Sequence, residues 1–296
     1  EVERIGVKGQ ADYLDTVRYT VHGPVMYESK FQGPGGIKLP LALRWMAHDE
    51  GNELLSLYLL NRSATYDQFV TAIHQFKCPG QNMIYADRKG NIALWGQGQF
   101  VNKWRDQGKY IMAGTDSSAL WNELIPMSEN PHALNPEQGF LSSANQAVTD
   151  TTYPYWYNGY FYEFRAWRIN SVLNNMQQAT VQDMFALQND CYSVLAAAVL
   201  PIMQQYLPPT LNESEKKYLD LLKGWNYTLS ADSKAASVFQ LWWAHAYDNI
   251  WKQRFAGIPD GVRPSAERTM QLMQTDAAKM PNLGEAIMHG FEKAVD

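Results

Sequence analysis

The chain has 296 residues, of which 46% are hydrophobic and 19% charged, and its formal net charge is −5. This composition is typical of a globular protein and excludes the disordered class, and a chain of this length can bury a sizeable core. The basic residues form no block that would suit a nucleic-acid partner, and no apolar run is long enough to cross a bilayer.

The first half of the chain has the patterns of strands and turns. Residues 17–21 alternate valine and tyrosine with polar residues, which predicts a half-buried strand. Two apolar runs, 83–86 and 92–95, flank a turn cluster at 87–91 and predict a β-hairpin. One short helix is predicted in this half, over residues 65–76.

The second half shows helical spacing of its apolar residues. One predicted helix carries a stripe from Met184 to Ile202, with Thr180 and Asp183 as its first-turn cap. Pro201 is expected to kink or end this helix, because proline donates no backbone hydrogen bond.

Four further helices are predicted towards the end of the chain. Asn212 caps the first, and Gly224 stops it. Ser230 opens the second, Pro264 opens the third at a first-turn position, and a weaker helix spans 284–295. The second of these helices carries one apolar stripe, made of Ala235, Val238, Trp242, Ala246 and Ile250.

Strands followed by helices place the chain in the α+β class. We predict two parts, an antiparallel-strand part over residues 1–162 and a mainly helical part over residues 163–296.

Simple catalytic motifs are scarce. The six histidines are scattered without metal-ligand spacing, and no nucleophile elbow, phosphate loop or dinucleotide fingerprint is present. Cys78 and Cys191 lack the spacing of a disulfide framework, so two buried thiols are favoured over one bridge. Cys78 is a weak candidate nucleophile, since it would need a nearby base. These patterns alone indicate a globular α+β protein and no particular activity.

One compound motif is more specific. The run Gly-Phe-Leu-Ser-Ser-Ala-Asn-Gln at 139–146 is followed by Asp150, by Tyr-Pro-Tyr at 153–155, and by Arg-Ala-Trp-Arg-Ile at 165–169. This order resembles the penicillin amidase family of N-terminal-nucleophile hydrolases. Other matches, such as Thr-Val-His-Gly-Pro-Val at 20–25, extend the resemblance over essentially the whole chain.

The resemblance implies an αββα sandwich of antiparallel sheets with a mainly helical region. It also implies an amidohydrolase of linear amides, in which an N-terminal serine attacks an N-acyl small-molecule substrate and its own α-amine acts as base. A periplasmic or extracellular location is implied as well. Residue 1 is Glu, and no residue here matches that serine. We therefore expect an internal fragment of the large subunit that is inactive alone. Its partners would be the remaining segments of its own precursor.

The resemblance also assigns two site residues. Asn145 matches the side-chain oxyanion donor, and Arg165 matches the arginine that supports the active site. The alternatives are an ordinary turn residue and an ordinary helix-start salt bridge. Gln146 stands where asparagine is commoner in the family and keeps an amide donor. No substrate-binding residue is predicted.

No cofactor or metal ligand is predicted for this chain, although calcium stays open for the complete protein. Tyr157 and Asn158 stand where some members have a carboxylate, and a hard cation prefers several oxygen ligands. The dense aromatic run at 153–162 could line an acyl pocket, but packing is the favoured explanation. A different class of function also remains: a non-catalytic module that keeps the fold to bind peptide or cell wall.

Overall fold

The structure is a computed structural model that describes residues 1–27, 39–157, 159, 161, 163–258, 263–280 and 282–296. Its contacts divide the chain into two compact units. The first unit comprises Glu1–Leu141 and Ala147–Tyr160, and the second comprises Ser142–Gln146 and Phe161–Asp296. The five-residue segment Ser142–Gln146 therefore belongs to the second unit, although first-unit residues flank it in sequence.

The described part of the first unit contains small antiparallel sheets, two α-helices and short 3-10 helices. Its strands are β1 (Val2–Ile5), β2 (Tyr13–Thr16), β3 (Tyr19–Thr20), β4 (Gly23–Tyr27), β5 (Leu41–Ala42), β6 (Gln81–Ala86), β7 (Ile92–Gln97) and β8 (His132–Leu134). They pair in the orders β1–β2, β3–β4–β5 and β6–β7–β8. The helices α1 (Glu53–Leu60) and α2 (Tyr66–Ile73) lie between β5 and β6 in the chain.

The predicted hairpin is confirmed, and each of its strands is two residues longer than predicted. β6 and β7 pair from Gln81–Gln97 to Ala86–Ile92 across the turn. Within that turn, the carboxylate of Asp87 accepts hydrogen bonds from the backbone and side chain of Asn91 at 3.0 and 2.8 Å. These bonds lower the pKa of Asp87 to about 2, and the bond from the Asn91 side chain has the largest effect.

The predicted short helix is confirmed as α2, but α1 was missed. Thr65 caps α2 by accepting a hydrogen bond from the amide of Gln68. Asn52 caps α1 in the same way, by accepting from the amide of Leu55 at 3.2 Å. The segment 53–60 is apolar on all sides except at Glu53 and Ser56, so it has almost no helical periodicity to detect.

The strand predicted at 17–21 is shorter and more exposed than expected. Only Tyr19 and Thr20 form a strand, and Tyr19 and Val21 are 57% and 79% exposed. Alternation fixes the side of a strand that each residue faces, but burial also needs a covering layer. None of the described residues covers Val21.

The second unit is helical in the part of the chain that the structure describes. Its helices are α3 (Phe164–Asn174), α4 (Val181–Gln188), α5 (Val194–Gln204), α6 (Glu213–Lys223), α7 (Lys234–Lys252), α8 (Ala266–Thr275) and α9 (Leu283–Val295). No helix among the described residues has the length and apolarity that a membrane span requires.

The helix predicted from Thr180 to Ile202 is in fact two, α4 and α5. The predicted cap is confirmed, because Thr180 and Asp183 form a reciprocal capping box. The chain then turns at Asp190, whose carboxylate accepts from the amide of Tyr192 at 2.8 Å, and that bond ends the helical path. Pro201 does not end α5, which continues to Gln204.

The later helix starts are partly as predicted. Asn212 caps α6 and Gly224 ends it, as expected. Ser233, not Ser230, caps α7, because its hydroxyl accepts from the amide three residues later. The cap of α8 is Ser265, so Pro264 lies just outside the helix.

The core of the second unit lies between α7 and α9. All five residues of the predicted stripe on α7 are buried. Trp242 is fully buried, and its indole N–H donates to the carbonyl oxygen of Ile287 at 2.8 Å. Gly290 on α9 approaches Ala246 so closely that an added Cβ would lie 2.7 Å from the Ala246 nitrogen. The helices therefore touch through their backbones at this point.

Candidate functional site

Asn145 lies in a tight turn of the second unit. Its φ of 63° is in the left-handed region, which asparagine tolerates better than most residues with a Cβ. The neighbouring Ala144 is buried, whereas Asn145 itself is exposed. The buried Ala144 thus fixes the backbone of the turn, and the amide side chain of Asn145 is accessible to solvent.

Arg165, in the first turn of α3, holds this asparagine. Its Nη2 donates to Oδ1 of Asn145 at 2.5 Å and to the carbonyl oxygen of Ala144 at 3.3 Å. A cation in the first turn of a helix opposes the helix dipole, at a cost of about 0.3–1 kcal/mol. The hydrogen bonds to the two acceptors on the turn offset this cost. They also join α3 to the turn, because Arg165 and Asn145 are 20 residues apart in the sequence.

The direction of this hydrogen bond decides what Asn145 can do. Its Oδ1 is occupied by the guanidinium, so the amide orientation is fixed. Its Nδ2 donates to no group in the described part of the chain and keeps its hydrogens for another acceptor. A charged donor on the oxygen draws electron density from the amide and strengthens the N–H as a donor. Such a neutral, oriented N–H suits a developing oxyanion.

The side chain of Gln146 hydrogen-bonds to the backbone of its own turn. Its Oε1 accepts from the amide of Ala144 at 2.6 Å, and its Nε2 donates to the carbonyl oxygen of Ser142 at 3.0 Å. Both ends of this amide therefore serve the turn. The family comparison suggested a retained amide donor at this position, and the structure places that donor on the backbone of Ser142.

The serine hydroxyl beside the turn is not activated as a nucleophile. Oγ of Ser142 donates to Oδ1 of Asn170 at 2.7 Å. An amide oxygen does not take up a proton at neutral pH, so this contact cannot act as a general base. It links the turn to α3 instead.

A second arginine on α3 has a structural partner. Both Nε and Nη2 of Arg168 donate to Oδ2 of Asp190, at 3.0 and 2.6 Å, and the guanidinium lies 4.3 Å from the ring centre of Tyr192. The hydrogen bond from Arg168 lowers the pKa of Asp190. Arg168 thus fastens the helix to the turn after α4, whereas Arg165 holds Asn145.

Both cysteines are free, and Cys78 is not prepared for catalysis. Desolvation and the carboxylate of Glu53 raise the pKa of the Cys78 thiol, which keeps it protonated and a poor nucleophile. Cys191 is exposed, so the expectation that it is buried is wrong.

The described residues do not fit a calcium ion. No three His, Cys, Asp or Glu side chains converge in the described ranges, and calcium prefers about 6–8 oxygen ligands. Asp150 uses its carboxylate locally, accepting from the amide and hydroxyl of Thr152 at 2.8 and 2.6 Å. Asn158 lies outside the described residues.

The aromatic run is divided between the two units. In the first unit, Tyr153 and Tyr155 meet edge to face at 5.5 Å, and Tyr155 donates to Glu129 at 2.5 Å. The buried Tyr153 hydroxyl has no partner among the described residues. Tyr160 and Tyr162 lie outside the described residues. The contacts of Tyr153 and Tyr155 lie within the first unit and join the two rings to each other and to Glu129.

Comparison with known proteins gives one family match over nearly the full length. The model of the family described as penicillin amidase matches residues 1–295. A solved structure, a thermostable penicillin G acylase from Alcaligenes faecalis, superposes with a TM-score of 0.71 at 21% identity and covers 99% of this chain and 59% of that chain. This likeness confirms the α+β fold class.

The curated relatives carry acylase names. An acyl-homoserine lactone acylase QuiP of Pseudomonas syringae pv. tomato is 26% identical over 248 residues, covering 79% of this chain and 30% of the relative. A penicillin acylase 2 proenzyme of a Pseudomonas species is 25% identical over 284 residues, covering 90% of this chain and 35% of the relative. The chain thus spans about a third of the length of these relatives.

Proposed function

The chain belongs to the penicillin amidase family, and on this basis we propose that the protein hydrolyses an N-acyl amide through a serine acyl-enzyme. In this proposal, Nδ2 of Asn145 donates to the oxyanion, and Arg165 orients Asn145. The acyl group passes to the serine, the amine leaves, and water then releases the acid.

The hydrogen bond from Arg165 to Oδ1 of Asn145 is the observation that carries the proposal. An ordinary turn asparagine commonly uses its Oδ1 to accept from its own turn's backbone. Here Gln146 stabilises the turn, and Asn145 is spared that role. Its exposed amide is then available to a tetrahedral intermediate, where one such donor is worth about 10²–10³ in turnover.

The proposed serine has no match among the residues of this sequence, so we expect the 296-residue chain to be inactive by itself. Its base would be its own α-amine, whose pKa of about 7.7–8.0 allows it to accept the hydroxyl proton near neutral pH. The proposed partners are other segments of a proenzyme, which the name of one relative supports. A periplasmic or extracellular location belongs to the same proposal and rests on resemblance. We also propose a boundary between two parts at residue 162, which rests on the change from strand to helical patterning.

The relatives suggest the first substrates to test. An N-acyl-homoserine lactone and a penicillin both contain a linear amide next to a lactone or lactam ring, and both class names occur among the relatives. The proposed bond is the linear amide. Release of a free acid and a ring-intact amine is the product pattern that separates this cleavage from ring opening.

To test the proposal, the complete reading frame that encodes these residues is expressed. Release of the free acid is then measured with an N-acyl-homoserine lactone and with a penicillin as substrate. Asn145→Ala should lower kcat about 10²–10³-fold and leave KM little changed. The 296-residue chain is assayed in parallel and should show no activity. A wild-type kcat in the Asn145→Ala protein would refute the assignment of Asn145 as an oxyanion donor. A complete protein without amide hydrolysis would favour the alternative, a non-catalytic module that binds peptide or cell wall.

A further inference from the structure

The first unit contains a cavity of about 770 Å³ that no part of the proposed hydrolysis uses. One wall is formed by β4 and β5 with the residues next to them, and the other by the loop 103–121. Its volume is within the range of about 300–1,000 Å³ that small-molecule sites occupy. Nε2 of His22 lies 2.9 Å from the carbonyl oxygen of Gly114 and joins the two walls, so the cavity is preformed.

The charges around this cavity all have one sign. Among its described lining residues are Arg44 and Lys103 and no aspartate or glutamate, although the whole chain carries a net charge of −5. Both cations lie against Trp121, at 4.7 Å for the Arg44 guanidinium carbon and 5.4 Å for Nζ of Lys103. The site therefore has a local positive charge on an otherwise acidic protein.

Lys103 is the cation that lacks a counter-ion. Arg44 already pairs with Asp49 at 2.7 Å, but no described carboxylate lies within ion-pair distance of Nζ of Lys103. Lys103 is half-buried, and desolvation lowers its pKa. A partly desolvated ammonium without a hydrogen-bond acceptor is unfavourable, and an anionic ligand would supply that acceptor.

The rest of the wall is apolar and open to solvent. Large apolar side chains reach the cavity from both sides, among them Met26, Leu41 and Ile111. Ile111 is 64% exposed. The buried Gln107 stabilises the loop that carries Lys103. Its side chain donates to the carbonyl oxygen of Ala119, in the same loop, at 3.3 Å. An extended hydrocarbon could cover these apolar groups while its polar end meets Lys103.

We propose that this cavity binds an amphipathic carboxylate, with the hydrocarbon chain along the apolar walls and the carboxylate on Lys103 beside Trp121. The ligand class follows from two observations, an apolar wall that is exposed and a cation that has no carboxylate partner among the described residues. This binding can be tested apart from the proposed hydrolysis, because neither Lys103 nor Trp121 has a role in that reaction.

The experiment titrates the full 296-residue chain with decanoate and with decyltrimethylammonium by isothermal titration calorimetry. Both probes have the same hydrocarbon length and opposite charge. The net negative charge of the chain favours the cation non-specifically. Saturable one-to-one binding of decanoate, at least tenfold tighter than that of the cation, is the expected result. Absence of saturable decanoate binding, or equal affinity for both probes, overturns the proposal.

Three variants locate the carboxylate. Lys103→Gln should weaken decanoate binding at least tenfold, and Lys103→Arg should retain it because the charge is kept. Lys89→Gln is the matched control, since Lys89 is exposed in the β6–β7 turn of the same unit, and it should bind decanoate like the wild type. Unchanged decanoate affinity in Lys103→Gln would assign the ligand to another surface and overturn the proposal.

Discussion

Nη2 of Arg165 contacts both the side-chain oxygen of Asn145, at 2.5 Å, and the carbonyl oxygen of Ala144, at 3.3 Å. One guanidinium thus holds the side chain and the backbone of the same left-handed turn. The residue after Asn145, Gln146, holds that backbone independently. The orientation of Asn145 and the shape of its turn can therefore be perturbed separately.

Arg165→Gln should reduce activity more than stability. The neutral and shorter glutamine no longer fixes or polarises the Asn145 amide, and a charge-assisted hydrogen bond is worth about 1.5–3 kcal/mol. We expect kcat of the complete protein to fall about tenfold or more with little change in KM. Arg168→Gln is the control on the same helix: it loses the contact with Asp190 and should lower the free energy of unfolding but not kcat. Equal kcat values for both variants would contradict the positioning role of Arg165.

Asn145→Gly separates the amide from the backbone conformation. Glycine adopts a φ of 63° without strain, so the turn should persist, and the melting temperature should fall no further than in Arg165→Gln, which loses the same hydrogen bond. The missing amide should still lower kcat about 10²–10³-fold. Gln178→Gly is the matched control, because Gln178 lies in the same unit, also has a positive φ, of 49°, and its side chain makes no hydrogen bond to the described residues. A large loss of kcat in Gln178→Gly would show that glycine at such a turn is itself harmful.

Gln146→Ala should destabilise the second unit. The amide of the buried Ala144 loses its acceptor, and an unsatisfied buried donor costs about 1–3 kcal/mol. Gln146→Glu retains an acceptor for Ala144 but turns its second carboxylate oxygen towards the carbonyl oxygen of Ser142. Protonation of the acid restores a donor there, so at a pH where the acid is protonated this variant should be destabilised less than Gln146→Ala. Urea denaturation of both variants measures the difference. The reverse order of stabilities at that pH would contradict the role assigned to the Gln146 acceptor.

The carboxylate of Asp87 should give the hairpin a pH dependence at the acidic end. Its pKa in the folded protein, about 2, lies below the ordinary value because the charged form accepts hydrogen bonds from Asn91, Tyr85 and Lys89. A lowered pKa stabilises the fold above the ordinary aspartate range, and this stabilisation is lost as the pH falls towards 2. Carbon-13 NMR titration should find a pKa near 2, and Asn91→Ala should raise it. An unchanged pKa in Asn91→Ala would refute the assigned cause.

Gly290→Ala should destabilise the contact between α7 and α9. The added methyl would lie 2.7 Å from the backbone nitrogen of Ala246, so one helix must move, and such overpacking costs about 1–3 kcal/mol. Gly224→Ala is the control, because an added Cβ there meets nothing within 4 Å. Thermal unfolding should show a lower melting temperature for Gly290→Ala alone. Equal values would mean that the helices can separate without cost.

Local patterns predicted the elements whose cause is local. The hairpin around Asp87 and the caps at Thr180 and Asn212 need only residues a few positions apart, and all three are confirmed. The break between α4 and α5 was missed because apolar spacing continues through it, while the turn depends on Asp190 accepting from Tyr192. The missed helix α1 shows the opposite case, a run that is almost uniformly apolar and has no period to detect.

The sequence nominated candidate site residues but gave no geometry for them. The motif assigned Asn145 and Arg165 as a pair of functional candidates, and the structure brings them into direct contact. The sequence could not indicate that Arg165 donates to Oδ1 and leaves Nδ2 available, because this direction depends on side-chain rotamers. It also could not indicate that both ends of the Gln146 amide bond to its own turn, since the closest partners are backbone atoms.

The five residues Ser142–Gln146 belong to the second unit, and the chain returns to the first unit before it enters α3. Neither unit is therefore one uninterrupted stretch of sequence. A single genetic crossover cannot exchange one unit for a homologous one without dividing the other. A crossover anywhere between 146 and 164 would combine the asparagine of one parent with the arginine of the other, so the hydrogen bond survives only if both parents carry these two residues.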